Sequence, residues 1–104
     1  MIIGDYCTVS AGVHIYTHDN VKQTLSSKQL PIERKPVSIG NNVYIGPQAV
    51  ITKGVNIGRN IIIGTFAFIN RDIPDNSIVL GQPGRIVGEI QKENGEIIFK
   101  YSET

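Results

Sequence analysis

The sequence has 104 residues with one cysteine, one methionine, two histidines and no tryptophan. A single cysteine, Cys7, excludes an internal disulfide. Together with only two histidines, His14 and His18, it lacks the ligand spacing of a zinc site, so we predict no bound metal. The formal net charge of +1 argues against nucleic acid as a partner. The length is enough for one domain with one core.

Long apolar runs are also missing. No stretch reaches the roughly 18 apolar residues that a membrane-spanning helix needs, so we predict no membrane span. The first residues, MIIGDYC, lack the basic start and long apolar core of a signal peptide. The predicted location is therefore the cytoplasm.

What the sequence does have is an isoleucine or valine at every sixth position over most of its length. This repeat consists of Ile3, Val9, Ile15, Ile39, Ile45, Ile51, Ile57, Ile63 and Ile69. A second apolar or compact side chain follows four positions later, at Cys7, Val13, Val43, Ala49, Val55, Ile61, Ala67 and Ile73. A helix needs a period of about 3.6 and a simple strand a period of about 2, so neither fits. A sustained period of six predicts an all-β fold, a parallel β-solenoid whose units each lay down one short strand and one corner.

The repeat also divides the chain, which we interpret as one domain over residues 1–104. Its predicted parts are a first coil at 2–16, a loop at 17–36, further coils at 37–74, and a C-terminal cap and hairpin at 75–104. Within the last part, the turn signal Asn94-Gly95 between alternating apolar positions predicts a β-hairpin over 89–101.

Glycines that follow the repeated isoleucines, such as Gly40 and Gly46, are expected at the corners, where glycine tolerates unusual torsions. The pair Asn41-Asn42 marks a corner for a related reason, because asparagine accepts left-handed torsions.

The loop at 17–36 is the best candidate for a functional site. It is not needed to build the coils, and loops on a rigid scaffold are where function tends to lie. It opens with Thr17-His18-Asp19. His18 can accept a proton near neutral pH, with Asp19 or a backbone carbonyl orienting its ring. The other histidine, His14, follows an inward position and is expected to be an exposed surface residue.

Several motifs together resemble the hexapeptide-repeat acyltransferases, and most closely the sugar and polysaccharide O-acetyltransferases of the galactoside and maltose type. They are the six-residue repeat, the segment GVHIYTHD that opens a long loop, and the ending D-I-P-x-N-x-x-x-x-G-x-P-x-R. That ending runs from Asp72 through Gly81 and Pro83 to Arg85, and the resemblance covers roughly residues 2–90.

The resemblance implies a left-handed parallel β-helix that assembles as a homotrimer, with acetyl-CoA in a groove between neighbouring subunits. It further implies that the matching histidine, His18, is the general base that deprotonates a sugar hydroxyl. By position, it implies cofactor-binding roles for Gly46, Thr65, Asn70, Arg71 and Arg85. Lys53 is a weaker basic candidate, and Asp19 and Tyr44 are assigned to the substrate side.

Three residues depart from the family pattern. Pro47 stands where relatives often place a serine near the thioester, and it offers neither a hydroxyl nor an N–H. Phe66 and Phe68 are larger than the residues common in that coil, and Phe66 is expected to face the cofactor groove or a partner subunit. Alternatives to sugar O-acetylation are N-acetylation of an amino-sugar nucleotide and a truncated, non-catalytic β-solenoid.

Overall fold

The computed structural model describes residues 1–102, and these residues form mostly short β-strands with one short helix. The predicted domain extends to residue 104, so its last two residues lie outside the described range. The elements in chain order are β1 (Ile2–Ile3), β2 (Thr8–Val9), β3 (His14–Ile15), β4 (His18–Asp19), α1 (Val21–Leu25), β5 (Glu33–Arg34), β6 (Ser38–Ile39), β7 (Val43–Ile45), β8 (Val50–Ile51), β9 (Asn56–Ile57), β10 (Ile61–Ile63), β11 (Phe68–Ile69), β12 (Ser77–Leu80), β13 (Arg85–Glu93) and β14 (Glu96–Tyr101).

The coils are built from three sheets of parallel strands. The first sheet has the strand order β1-β6-β9. The second contains the parallel strands β2, β7, β10 and β12. The third has the strand order β11-β8-β3. Ile39 pairs with Ile57 in the first sheet, Ile45 with Ile63 in the second, and Ile51 with Ile69 in the third. Each partner lies three hexapeptides further along the chain. One coil therefore takes three hexapeptides and places one on each of three faces, as the repeat predicts.

The repeated side chains form the core. From residue 37 onward, the inward isoleucines, valines and alanines of the coils are 3% exposed or less. Burying a side chain of this size stabilises the fold by about 1.5–3 kcal/mol. The first coil is more open, because a coil covers it on one side only among the described residues: Ile3 is 40% exposed and Val9 44%.

The role expected for the glycines of the repeat is wrong. Gly40 and Gly46 do not have positive φ, whereas the residues two positions later do: φ is 60° at Asn42 and 63° at Gln48. A Cβ atom on Gly46 would instead lie 2.8 Å from the amide nitrogen of Thr65 in the next coil. These glycines are therefore required by the close approach of stacked coils, and the left-handed torsion belongs to the following corner residue. The corner predicted at Asn41-Asn42 is confirmed.

The chain beyond the coils continues the second sheet. The predicted hairpin forms from β13 and β14, and its turn contains Asn94 and Gly95, both with positive φ. Its first strand begins at Arg85, earlier than the predicted residue 89. β12 joins the hairpin to the coils, since it pairs in parallel with β10 and antiparallel with β13. A segment interpreted from sequence as an irregular cap thus contributes a regular strand.

The excursion between the first and second coils, residues 17–36, has structure of its own. It contains the helix α1 and the strands β4 and β5, which pair with each other in an antiparallel sheet of two strands. The N–H of Lys35 donates to the carbonyl of Thr17 (2.9 Å), and the N–H of Gly54 donates to the carbonyl of Lys35 (3.2 Å). These bonds close the excursion and join it to the corner of the next coil.

Candidate active site

His18 lies in β4 with its side chain exposed. In the β4–β5 pair, His18 is opposite Arg34 and Asp19 is opposite Glu33. An open depression at this end of the molecule is lined by Tyr16, His18, Asp19, Asn20 and Ile32. A substrate can reach His18 from solvent.

Asp19 is occupied by contacts within the protein. Its Oδ2 atom lies 2.6 Å from Nζ of Lys53, and its Oδ1 atom accepts a hydrogen bond from the N–H of Val21 (3.1 Å). The bond from Lys53, followed by the bond from Val21, lowers the pKa of Asp19 below its ordinary value. Within residues 1–102, no hydrogen bond joins Asp19 to the imidazole of His18. These contacts do not support Asp19 as the group that orients the ring.

Lys53, the weaker basic candidate for the cofactor, lies among carboxylates. Its Nζ atom is also 3.7 Å from Oε1 of Glu33, and only 22% of its side chain is exposed. The hydrogen bond to Asp19 raises the pKa of Lys53. Lys22 and Lys35 approach Glu33 as well, at 3.0 and 3.5 Å, and the contact with Lys22 is the largest cause of the lowered pKa of Glu33. We call Asp19, Glu33, Lys22, Lys35 and Lys53 the ion-pair cluster.

An open groove runs across the outer face of the third sheet. His14, Val50 and Phe68 lie side by side there, since β3 pairs with β8 and β8 with β11 in that register. A depression on this face is lined by Val50, Phe66, Ala67, Phe68, Asn70, Gln82 and Pro83. The side-chain amide of Gln82 donates to the carbonyl of Phe66 and so attaches the turn after β12 to the coil. We call the surface lined by these seven residues, from Val50 to Pro83, the groove.

The groove continues into a region with two arginines. A second depression shares Asn70 and Pro83 with the groove and is also lined by Arg71, Gly84 and Arg85. Two guanidinium groups at one end of an open channel suit a phosphate-bearing ligand, because arginine binds phosphate through several N–H donors. The structure thus brings Arg85 to Asn70 and Arg71, which are adjacent to each other in sequence.

Other candidate residues lie elsewhere. Gly46 is buried, and the contact that a Cβ would make with Thr65 explains its identity without a ligand. Thr65 is exposed at the same corner of the coil, directly before Phe66. Tyr44 lies on the outer face of the second sheet, in a depression lined by hairpin residues such as Ile97 and Phe99. The ligand roles of all three residues stay predictions.

Sequence reasoning missed two features of the site. It did not predict the ion pairs of Lys53 with Asp19 and Glu33, since nothing in the local sequence shows that the corner after β8 contacts the excursion. It also missed the hydrogen bond between the hydroxyl of Tyr16 and Nδ1 of His14, at 2.9 Å. The i, i+2 spacing of His14 on β3 and Tyr16 just after that strand was the available signal, because residues so spaced along extended chain share one face.

Comparison with known proteins connects these features to a family. Residues 36–71 match the model of the bacterial transferase hexapeptide, six repeats. Protein CapG of Staphylococcus aureus is 40% identical over 97 residues, which cover 92% of this chain and 56% of that protein. Galactoside O-acetyltransferase of Escherichia coli strain K12 is 37% identical over 109 residues, covering 95% of this chain and 52% of the relative.

Among solved structures, a hexapeptide-repeat containing acetyltransferase from Vibrio cholerae, complexed with acetyl coenzyme A, superposes with a TM-score of 0.80. It is 28% identical, and the match covers 88% of this chain and 50% of that one. The chain spans about half the length of the curated relatives it matches.

The repeat, the three-faced coil and the groove define a hexapeptide-repeat transferase domain. Residues 36–71 carry this domain, and the chain is similar in sequence to galactoside O-acetyltransferase and in fold to the acetyltransferase from Vibrio cholerae. Within residues 1–102, no helix is long and apolar enough to span a bilayer. The same residues hold no group of three or more histidine, cysteine or acidic side chains placed to bind a metal.

Proposed function

We propose that the chain is an acetyl-CoA-dependent acetyltransferase that moves an acetyl group to a hydroxyl of a sugar or polysaccharide precursor. The observation that carries this proposal is the groove: it has two arginines at one end and lies on the sheet whose first strand, β3, leads into His18. The family supports it, because a relative that shares this fold was crystallised with acetyl coenzyme A.

In the proposed reaction, His18 acts as the general base. Its imidazole takes the proton from the acceptor hydroxyl while that oxygen attacks the thioester carbonyl. A carbon–oxygen bond forms, the carbon–sulfur bond breaks, and the imidazolium returns the proton to the departing sulfur. A positioned base of this kind typically contributes about 10²–10⁴-fold to the rate. The exposure of His18 leaves room for both substrates, and Arg71 and Arg85 are placed to bind the phosphates of the donor.

Two further properties belong to the proposal. The coil is expected to wind left-handed, and the working unit is expected to be a homotrimer whose subunits together enclose the groove. Support comes from the family and from the open groove, which is covered on one side only by the residues of a single chain. The cytoplasmic location stays a prediction.

The test compares the two histidines of the chain. Thiol release from acetyl-CoA is measured with galactosides and maltose as acceptors, for the original chain, His18→Ala and His14→Ala. We expect His18→Ala to lower kcat by about 100-fold or more. His14→Ala controls for the loss of an exposed imidazole: His14 lies on β3 beside the groove and hydrogen-bonds to Tyr16, so any effect of its loss is expected in KM for acetyl-CoA. Its kcat is expected to stay close to that of the original chain.

Other outcomes favour the alternatives. Substantial turnover by His18→Ala with an amino sugar as acceptor would favour N-acetylation, because a free amine needs less help from a base. A folded chain that neither binds acetyl-CoA in calorimetry nor releases thiol would favour a non-catalytic solenoid and refute the proposal.

A further inference from the structure

The strand that carries His18 has few contacts of its own. β4 and β5 contribute two residues each to their pair, and a two-stranded sheet is at best marginally stable in water. The backbone bond from Gly54 to Lys35 holds one side of the excursion to the coil. Lys53, the neighbour of Gly54, supplies a side-chain link at the same corner. The position of His18 therefore depends on few attachments.

Lys53 offsets a charge repulsion between two acidic residues that face each other in the β4–β5 pair. Asp19 and Glu33 are direct cross-strand partners, so their carboxylates lie on one side of the pair. Like charges directly opposite each other destabilise strand pairing. Nζ of Lys53 lies 2.6 Å from Asp19 and 3.7 Å from Glu33 and neutralises this repulsion. Glu33 has Lys22 and Lys35 as additional partners, whereas Lys53 is the one cation within salt-bridge distance of Asp19 in residues 1–102.

We propose that Lys53 is a positioning residue for the base: its ammonium group ties Asp19 and Glu33 to the coil and thereby fixes the backbone of His18. The inference rests on the proposed role of His18. Lys53 acts through the strand pair, since its Nζ atom forms ion pairs with the two carboxylates, and Asp19 directly follows His18 on β4.

The charge states agree with this role. The contact raises the pKa of Lys53 and lowers that of Asp19, so both groups stay charged over the neutral range in which a histidine base works. The tie is therefore intact over that range.

The first experiment measures kcat and KM for acetyl-CoA in Lys53→Met, Lys53→Arg and Lys22→Met. A displacement of about 1 Å can cost about 100-fold in rate, so we expect a fall of that order in kcat for Lys53→Met. KM for acetyl-CoA should stay unchanged, because the arginine end of the groove is untouched. Lys53→Arg should recover most of the rate. Lys22→Met is the matched control, since Lys22 contacts Glu33 but not Asp19.

A second substitution separates positioning from general stability. In the Lys53→Met background, Glu33→Gln removes one of the two facing carboxylates. If repulsion across the pair displaces His18, this double variant should regain part of the lost kcat. A double variant with the same kcat as Lys53→Met, or a lower one, would overturn the proposed mechanism. Lys53→Gln replaces Lys53→Met if the methionine variant does not fold.

Hydrogen exchange gives a readout that does not depend on activity. Amides of residues 17–20 and 33–35 should exchange faster in Lys53→Met, with the coil amides unchanged. If these amides of Lys53→Met exchange at the rate of the original chain, Lys53 does not hold the excursion to the coil. If they exchange faster but kcat is unchanged, holding the excursion has no catalytic consequence. If exchange rises but turnover of the original chain does not depend on His18, the proposed base is refuted, and its positioning with it, while the structural tie stands.

Discussion

Two positions of each hexapeptide carry different steric demands at the scale of single residues. The glycine after the inward isoleucine meets the backbone of the next coil, and the residue two positions later has a left-handed backbone. The sequence shows that glycine is frequent but does not show which demand it meets. A local argument attributes these glycines to backbone torsion. The structure attributes Gly40 and Gly46 to close contact with residues of the next coil, which are far away in sequence.

Replacing Gly46 by alanine should therefore destabilise the coils. Its Cβ would lie 2.8 Å from a backbone nitrogen, and overpacking of this kind typically costs about 1–3 kcal/mol. Urea denaturation measures the loss, and hydrogen exchange should quicken in β7 and β10. Gly95→Ala is the control, because Gly95 has positive φ but no atom within 4 Å of its added Cβ. Faster exchange confined to the hairpin in both variants would contradict this account.

Phe66 occupies a corner that suits other residues better. It has φ of 62° and is 58% exposed, whereas asparagine fills the same kind of corner at positions 42 and 60. A left-handed torsion costs a bulky residue about 1–2 kcal/mol, and asparagine tolerates it. We expect Phe66→Asn to raise the free energy of unfolding by about 1 kcal/mol in urea denaturation.

The control for this change is Phe68→Asn. Phe68 lines the same groove but is partly buried and does not have positive φ, so its replacement should destabilise the fold. Equal losses in both variants would show that the corner torsion at Phe66 is not strained.

At the scale of elements, the ion-pair cluster gives the excursion a pH dependence. The folded-state pKa of Asp19 lies below its ordinary value of 3.8, so the contribution of Asp19 is present above that pH. It is lost as the pH falls through the folded-state value. The pKa of Lys53 is raised above 10.5, so its contribution is present below that pH and lost as the pH rises further.

Asp19→Asn should therefore flatten the acid limb of the stability curve. Thermal unfolding measured from neutral pH down to below pH 3.8 is expected to show a shallower decline in the variant than in the original chain. Asp5→Asn serves as the control, because Asp5 forms none of the ion pairs in residues 1–102. Parallel curves for the original chain and Asp19→Asn would remove Asp19 from the acid response.

The elements also show how far sequence can reach. The strands of the coils follow from the period of Ile39 to Ile69, since that pattern is local and repeats. The hairpin follows from Asn94-Gly95. Neither argument finds the β4–β5 pair, whose strands are two residues long and depend on Lys53, a residue outside the excursion. Short elements held by distant charges leave no periodic signal.

For the whole molecule, the central expectation concerns the donor. Binding of acetyl-CoA to the folded chain should raise its stability, by about 2.7 kcal/mol at a concentration 100 times Kd. Arg85→Ala should weaken binding by about 10- to 100-fold, since a hydrogen bond to a charged group contributes about 1.5–3 kcal/mol. Calorimetry and thermal shift measure both effects.

Arg59→Ala is the matched control for that experiment. Arg59 is exposed as well, but it lies near Asp75 at another corner, away from the groove. If both variants bind acetyl-CoA as tightly as the original chain, the arginine end of the groove is not the phosphate site. The candidate residues at that end were predictable only through family motifs, because Arg71 and Arg85 meet through folding.

The excursion has one more consequence. Ile3 pairs with Ile39 across a chain separation twice that between Ile39 and Ile57, so the repeat resumes after the excursion in the same reading frame. Residues 18–35, which lie within the excursion and include His18, amount to three hexapeptide lengths inserted at one corner. Deleting them would join the first coil to the second with the six-residue period unbroken. The coils and the groove with Arg71 and Arg85 at one end would remain, without His18. The coils and the candidate base are therefore separable parts of the chain, because removal of this segment leaves the register of the coils unchanged.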